Sequence, residues 1–186
     1  MGRASGVLLA VSSLPNSYGI GTFGKEAYDF IDFLVRTKQR YWQVLPLTTT
    51  SYGDSPYQSF SAAAGSPYYI DLKDLEKLGY LKSDDFEDVS FGTSKTCIDY
   101  GALFVNHRRL LNRAFDRFVQ DVPADFEKFC HDQAEWLDPY AEFMSLKEEF
   151  GHKAYWEWPK QYQQRNETTA QEIKKLQKSV LYHKMT

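Results

Sequence analysis

The chain has 186 residues, 42% of them hydrophobic, enough for one ordinary domain with its own core. Its 22 Lys and Arg against 25 Asp and Glu leave a formal net charge of -3, which builds no basic field for nucleic acid and none for an anionic membrane surface. Two cysteines in no paired motif and a short apolar N-terminal run argue against a disulfide framework, a secretory signal and a membrane span, so the expectation is a reduced, cytoplasmic protein.

Gly6-Val7-Leu8-Leu9-Ala10-Val11 is continuously apolar and bounded by Ser12, Ser13 and Pro15, which predicts a strand buried on both faces, as in a parallel sheet. After a loop through Gly24, residues Ala27, Phe30, Ile31 and Leu34 fall on one stripe and predict an amphipathic helix over 25–38. Tyr41 to Leu47 is again mostly apolar and predicts a second strand. Strand, helix and strand make a βαβ unit with parallel pairing. Residues 48–67 then form a long polar and aromatic loop at the carboxyl end of the second strand, where α/β folds carry their sites. Tyr68 to Leu72 has the pattern of a short extension.

From Asp99 the chain reads helical. Asp99 is the expected N-cap, and Leu103, His107, Leu110, Leu111, Ala114, Phe115 and Phe118 make the apolar stripe. Pro123 and Pro139 suit first-turn positions of two further helices, and Gly151 a C-terminal stop. Thr169 and Glu172 have capping-box spacing before a last helix holding Ile173, Leu176 and Val180. The division expected is 1–98, a βαβ part with loop 48–67, and 99–186, a mainly helical subdomain.

Several motifs point to common chemistries without completing them. Gly19-Ile20-Gly21-Thr22-Phe23-Gly24 matches G-x-G-x-x-G between a strand and a helix. Yet Leu14 to Tyr18 separate it from the strand, and Leu47 is followed by Thr48-Thr49-Thr50-Ser51 where a dinucleotide fold places an acid. The glycines therefore read as a turn into the helix. His107, His131, His152 and His183 show no metal-ligand spacing, and no G-x-S-x-G anchors a triad, so neither metal nor cofactor is expected. Tyr52-Gly53-Asp54-Ser55-Pro56-Tyr57-Gln58-Ser59-Phe60-Ser61 is different. It alternates rings, a carboxylate, hydroxyls and an amide, a mixture that suits a sugar, whose ring face stacks on an aromatic while its hydroxyls need partners. A well-ordered loop with buried tyrosines would have the same composition.

At this loop the sequence resembles the amylomaltase family, the 4-alpha-glucanotransferases of glycoside hydrolase family 77. The resemblance runs collinearly from Ser12-Ser13-Leu14-Pro15 and Tyr18-Gly19-Ile20-Gly21 through Tyr41-Trp42-Gln43-Val44-Leu45-Pro46-Leu47 and Tyr52 to Ser61. It continues at Ala64-Gly65, Pro67-Tyr68 and Ile70-Asp71-Leu72, and more loosely at Asp99-Tyr100, Trp136-Leu137, Tyr140-Ala141 and Trp158-Pro159. Thr48-Thr49, Ala63 and Ser66 depart from the family pattern and bear on the shape of an acceptor subsite.

The resemblance implies an α/β fold, the N-terminal part of a (β/α)8 barrel with a largely helical insertion. It implies a retaining double displacement that moves α-1,4-glucan segments to glucose or a maltodextrin acceptor. Partners would be maltooligosaccharides, starch-derived dextrins and glucose. The family's catalytic carboxylates lie on later strands, and no Asp or Glu here matches their motifs, so no catalytic residue is assigned and residues 1–186 alone are expected to be inactive. Binding roles fall to Tyr57, for stacking, Asp54, Ser55 and Gln58, for sugar hydroxyls or loop orientation, and Tyr52, as an outer platform. Asp54 could equally cap the turn before Ser55-Pro56. The competing reading is a non-catalytic carbohydrate-binding module, against which stands a βαβ opening that demands more sheet.

Overall fold

The computed structural model describes residues 2–51, 53–94, 96–164 and 166–186, in two compact units, Met1–Gln120 and Asp121–Thr186. In the first, β1 (Gly6–Leu8) and β2 (Tyr41–Gln43) pair in parallel, with Gly6 opposite Tyr41 and Leu8 opposite Gln43; α1 (Lys25–Arg36) is the crossover. Gly6 is required here, because a Cβ would lie 2.5 Å from the Tyr41 carbonyl oxygen.

The strands differ from the sequence expectation in length and burial. β1 stops at Leu8, and Val11–Ser13 winds into a 3-10 turn that puts Val11 into a core with Leu14 and Ala27. Leu8 is left 57% exposed, so the strand is not buried on both faces. Trp42 meets Phe30 of α1 at 4.9 Å between ring centroids, and its Nε1 donates to Leu9 O at 2.8 Å. In α1, Ala27 and Leu34 are buried, Phe30 is half-buried and Ile31 is exposed.

The glycine segment is a turn into α1. Gly19 has φ +81°, a backbone that only glycine adopts without strain, and a Cβ on Gly24 would collide with the Asp71 carboxylate. Thr22 Oγ1 donates to Asp71 Oδ2 at 2.5 Å, and Asp71 Oδ1 accepts from Asp74 N at 3.1 Å, capping α2 (Leu72–Lys77). The extension expected over Tyr68 to Leu72 is instead a 3-10 turn, Pro67–Tyr69, followed by this cap. Asp71 is buried and serves the glycine turn and the α2 N-terminus at once.

α3 (Tyr100–Phe118) begins where expected, with Asp99 Oδ1 accepting from Ala102 N at 2.9 Å, and every residue of its expected apolar stripe is buried. Arg117 Nη1 and Nη2 reach the Asp85 carboxylate at 2.6 and 3.1 Å, tying α3 to the 3-10 turn Ser83–Phe86.

The second unit contains α4 (Ala124–Asp132), α5 (Ala134–Glu149), α6 (Glu167–Lys175) and α7 (Gln177–Met185) around Ala141, Leu146, Trp158, Ile173 and Val180. Four local expectations are corrected. Pro123 is the N-cap of α4 rather than a first-turn residue. Pro139 lies inside α5, because that helix starts straight after α4 at Ala134. Asn166, not Thr169, caps α6, its Oδ1 accepting from Thr169 N at 3.0 Å; Thr169 Oγ1 turns back to Gln164 O at 2.8 Å. The last helix is also broken at Leu176 into α6 and α7. Gly151 does stop α5. It has φ +65°, its N–H donates to Glu148 O at 2.9 Å and the next N–H, of His152, to Lys147 O at 2.7 Å, the paired bonds of a Schellman end.

Candidate functional site

Loop 48–67 is closed at its base and stapled in the middle. Thr48 and Gly65 form an antiparallel bridge, with Ser66 N donating to Leu47 O at 2.9 Å. Further out, Ser51 N donates to Gln58 O at 2.9 Å, and Thr49 Oγ1 meets Ser59 Oγ at 3.2 Å. Ser61 Oγ accepts from the N–H groups of Ala63 and Ala64 at 3.1 and 3.0 Å. The loop therefore supplies its own hydrogen-bond partners, as a surface segment with ordered backbone must.

The outer turn carries the predicted binding residues. Gly53 and Asp54 both have positive φ, +91° and +53°, and Asp54 N donates to Ser51 O at 3.1 Å. Pro56 fixes the next turn, where Gln58 N donates to Ser55 O at 3.0 Å and Tyr57 N points to Ser55 Oγ at 3.4 Å. Those N–H groups are thus served by Ser55, and the Asp54 carboxylate instead accepts from Thr50 Oγ1 at 3.5 Å. Tyr57 and Gln58 are exposed, Tyr57 to 73%; Asp54 and Ser55 are half-buried. Tyr52 lies outside the described residues.

The Asp54 charge is felt by two tyrosines to which the sequence reading gave no binding role. Partial burial raises the Asp54 pKa above the ordinary carboxylate value, with the Thr50 bond pulling the other way. The Tyr68 phenol is pushed up to about 12, first by burial and then by the nearby Asp54 charge, and Tyr100 is raised by burial and by Tyr69 and Asp54. The Tyr68 and Tyr100 rings lie 6.3 Å apart, and the buried His107 ring meets Tyr68 edge-on at 5.8 Å. The available signal was helical spacing. Tyr100 opens α3 directly after its cap, and His107 follows on the buried stripe.

The arrangement thus offers an exposed ring, an exposed amide, a hydroxyl and a partly desolvated carboxylate on a backbone held by its own bonds. It can grip a polyhydroxylated ligand. Among the described residues, no group of three or more His, Cys, Asp or Glu is placed to hold a metal ion, and no helix is long and apolar enough to cross a membrane.

A family profile described as 4-alpha-glucanotransferase of glycoside hydrolase family 77 matches residues 9–186. The chain belongs to that family. It is 50% identical over 188 residues to a 4-alpha-glucanotransferase of Streptococcus pneumoniae, covering 99% of this chain and 37% of that protein. It is 43% identical over 189 residues to one of Thermus thermophilus, again covering 99% and 37%. Among solved structures, an amylomaltase from Streptococcus agalactiae in complex with acarbose superposes with a TM-score of 0.93 at 45% identity, over 99% of this chain and 38% of that one. The chain spans about 37% of the length of the curated relatives it matches.

Proposed function

We propose that this chain contributes the sugar-gripping loop of a cytoplasmic 4-alpha-glucanotransferase, which moves α-1,4-glucan segments from maltooligosaccharides or starch-derived dextrins to glucose or a maltodextrin acceptor. On this reading β1 and β2 are the first strands of a (β/α)8 barrel, 1–98 its opening βαβ part, and 99–186 a largely helical insertion. The observation that carries the proposal is the outer turn of loop 48–67, where exposed Tyr57 stands beside half-buried Asp54 and Ser55, in a chain whose relatives bear that name.

The reaction is a retaining double displacement. A carboxylate attacks the anomeric carbon as a carboxylic acid protonates the leaving oxygen, and a glycosyl ester forms. The acceptor 4-hydroxyl then attacks that ester while the second carboxylate removes its proton. Neither carboxylate is assigned within residues 1–186. The part of this chain is binding. Tyr57 presents a flat apolar face to the C–H groups of one pyranose, which orients it and keeps water from that side. Asp54, Ser55 and Gln58 offer partners to its hydroxyls, and Tyr52 a platform further out.

The test is incubation of the full-length gene product with maltotriose, followed by chromatography and by proton NMR of the new linkages. Glucose plus longer maltodextrins, α-linked throughout, is the expected outcome, and a polypeptide of residues 1–186 is expected to give none. Release of glucose and maltose without elongation would replace transfer by hydrolysis. Products from pure 1–186 would overturn the assignment of the carboxylates elsewhere.

A further inference from the structure

The second unit displays rings of its own. The 3-10 turn Tyr155–Glu157 leaves Tyr155 51% and Trp156 68% exposed, with centroids 5.4 Å apart and planes at 78°. Their backbone is firmly held. Trp158 N donates to Tyr155 O at 3.2 Å, and Ala154 N donates to Glu157 Oε2 at 3.1 Å. Gln163 Nε2 donates to the carbonyls of Trp156 and Trp158, each at 2.8 Å. The next indole goes the other way. Trp158 is buried against Phe143 and Phe150, and its Nε1 donates to Lys153 O at 3.1 Å. One ring thus anchors the turn while two are held out in water, where large apolar side chains are unfavourable unless something covers them.

An open cleft of about 560 Å³ lies beside the turn, its lining including Glu149, Phe150, Lys153, Glu157, Trp158 and Pro159. We propose that this cleft and the Tyr155–Trp156 pair form a second glucan-binding site that holds long α-1,4-glucan chains. The ligand class rests on the function proposed above. The lining mixes carboxylates with an ammonium, which suits a neutral ligand rich in hydroxyls better than a charged one. An α-1,4 chain curves, so rings set nearly at right angles can each take a different sugar of one chain, whereas a planar ligand would call for parallel faces. Long glucans held here stay close to the enzyme between transfers, which raises their effective concentration.

The experiment uses the full-length protein in native gels containing amylopectin, with thermal melts alongside. The wild type is expected to be retarded, and Tyr155→Ala/Trp156→Ala to lose most of the retardation, its affinity falling roughly tenfold or more if base-like stacking is the guide. Trp156→Phe keeps a ring and retains most of it. A double variant retarded like the wild type, with or without a lowered melting temperature, overturns the site and makes the pair a packing surface. A wild type that amylopectin does not retard overturns it too. Maltotriose disproportionation, measured in parallel, reads the catalytic proposal separately. Pair-dependent retardation in a protein that fails to elongate maltotriose leaves this site standing and removes the transferase reading.

Discussion

At Tyr57 the ring stays 73% exposed although the backbone on both sides is hydrogen-bonded, so the fold gains little from it and a ligand can gain more. Tyr57→Ala in the full-length enzyme is expected to lower kcat/KM for maltotriose about tenfold to hundredfold, with the melting temperature unchanged, if stacking here resembles stacking on bases at about 1–3 kcal/mol. Tyr57→Phe should cost less; a large drop in melting temperature with wild-type kinetics would mark a packing residue instead. His107 is the opposite case. It is buried on α3, and desolvation pushes its pKa down from 6.5 to about 4, against a smaller opposing effect of the Ile70 backbone. The unfolded state therefore takes up the proton first. The stability owed to the neutral ring is complete above about pH 6.5 and is lost as pH falls towards about 4, by up to on the order of 3 kcal/mol. Melts of the wild type should decline more steeply over that window than those of His107→Met, which cannot charge, and parallel declines would contradict this. The sequence singles out Tyr57 because rings, hydroxyls and a turn proline alternate around it. The nearness of the Tyr100 ring to Tyr68 was not legible there, since it joins the end of the loop to a helix start far along the chain.

Long elements were legible and short ones were not, for a physical reason. The stripe of α3 repeats over 19 residues, so periodicity alone names its buried face, and an Asx cap fixes its start. A strand of three residues has no such redundancy. Where β1 ends depends on a tertiary event, the bond from Gly21 N to Ser12 O at 3.0 Å that holds the turn after it. Pro139 misled in the same way, since a proline pattern cannot tell a first turn from a helix that began one residue after its predecessor. The ties between elements are likewise a structural finding. Arg117 grips Asp85 with both terminal nitrogens and also donates to Tyr80 O at 2.9 Å; the Asp85 side chain is only 12% exposed. The Arg117 hydrogen bonds hold the Asp85 carboxyl below its usual range, so this contribution is present above the ordinary carboxylate pKa and fades as the pH drops below it. Asp85→Ala is expected to destabilise the fold by about 1–3 kcal/mol, as for a hydrogen-bonded charged group. Asp88→Ala, which removes a carboxylate 81% exposed and 3.8 Å from Arg109, should be near neutral. Urea melts of the two variants distinguish these outcomes, and equal losses would mean that the Asp85 clasp is no stronger than a surface pair.

At the scale of the whole molecule, the first unit leaves several large apolar side chains in water. Leu8 and Tyr41 on the strands, and Tyr28, Ile31, Phe33 and Val35 on α1, are all exposed large hydrophobics. Among the described residues they accompany a parallel sheet of two strands, each of three residues. Parallel strands are ordinarily buried on both faces, and a two-stranded sheet is marginal without further cover, while unpaired outer N–H and C=O groups offer a template for another chain. Helical packing does not relieve this, because Tyr28, Phe33 and Val35 lie off the stripe that Ala27 and Leu34 bury, and Ile31, although on that stripe, is itself exposed. The expectation is that a polypeptide of residues 1–186, purified alone, binds a hydrophobic dye and self-associates at micromolar concentration. Sedimentation velocity should show a concentration-dependent shift to larger species. Leu8→Lys/Val35→Lys, which places charge on one strand and on the helix, should reduce both dye binding and the shift, because neither side chain is buried and the core is untouched. A monodisperse monomer that melts in one sharp, reversible step and binds no dye would show that this surface is tolerated in water, and that the exposed edges do not recruit a partner.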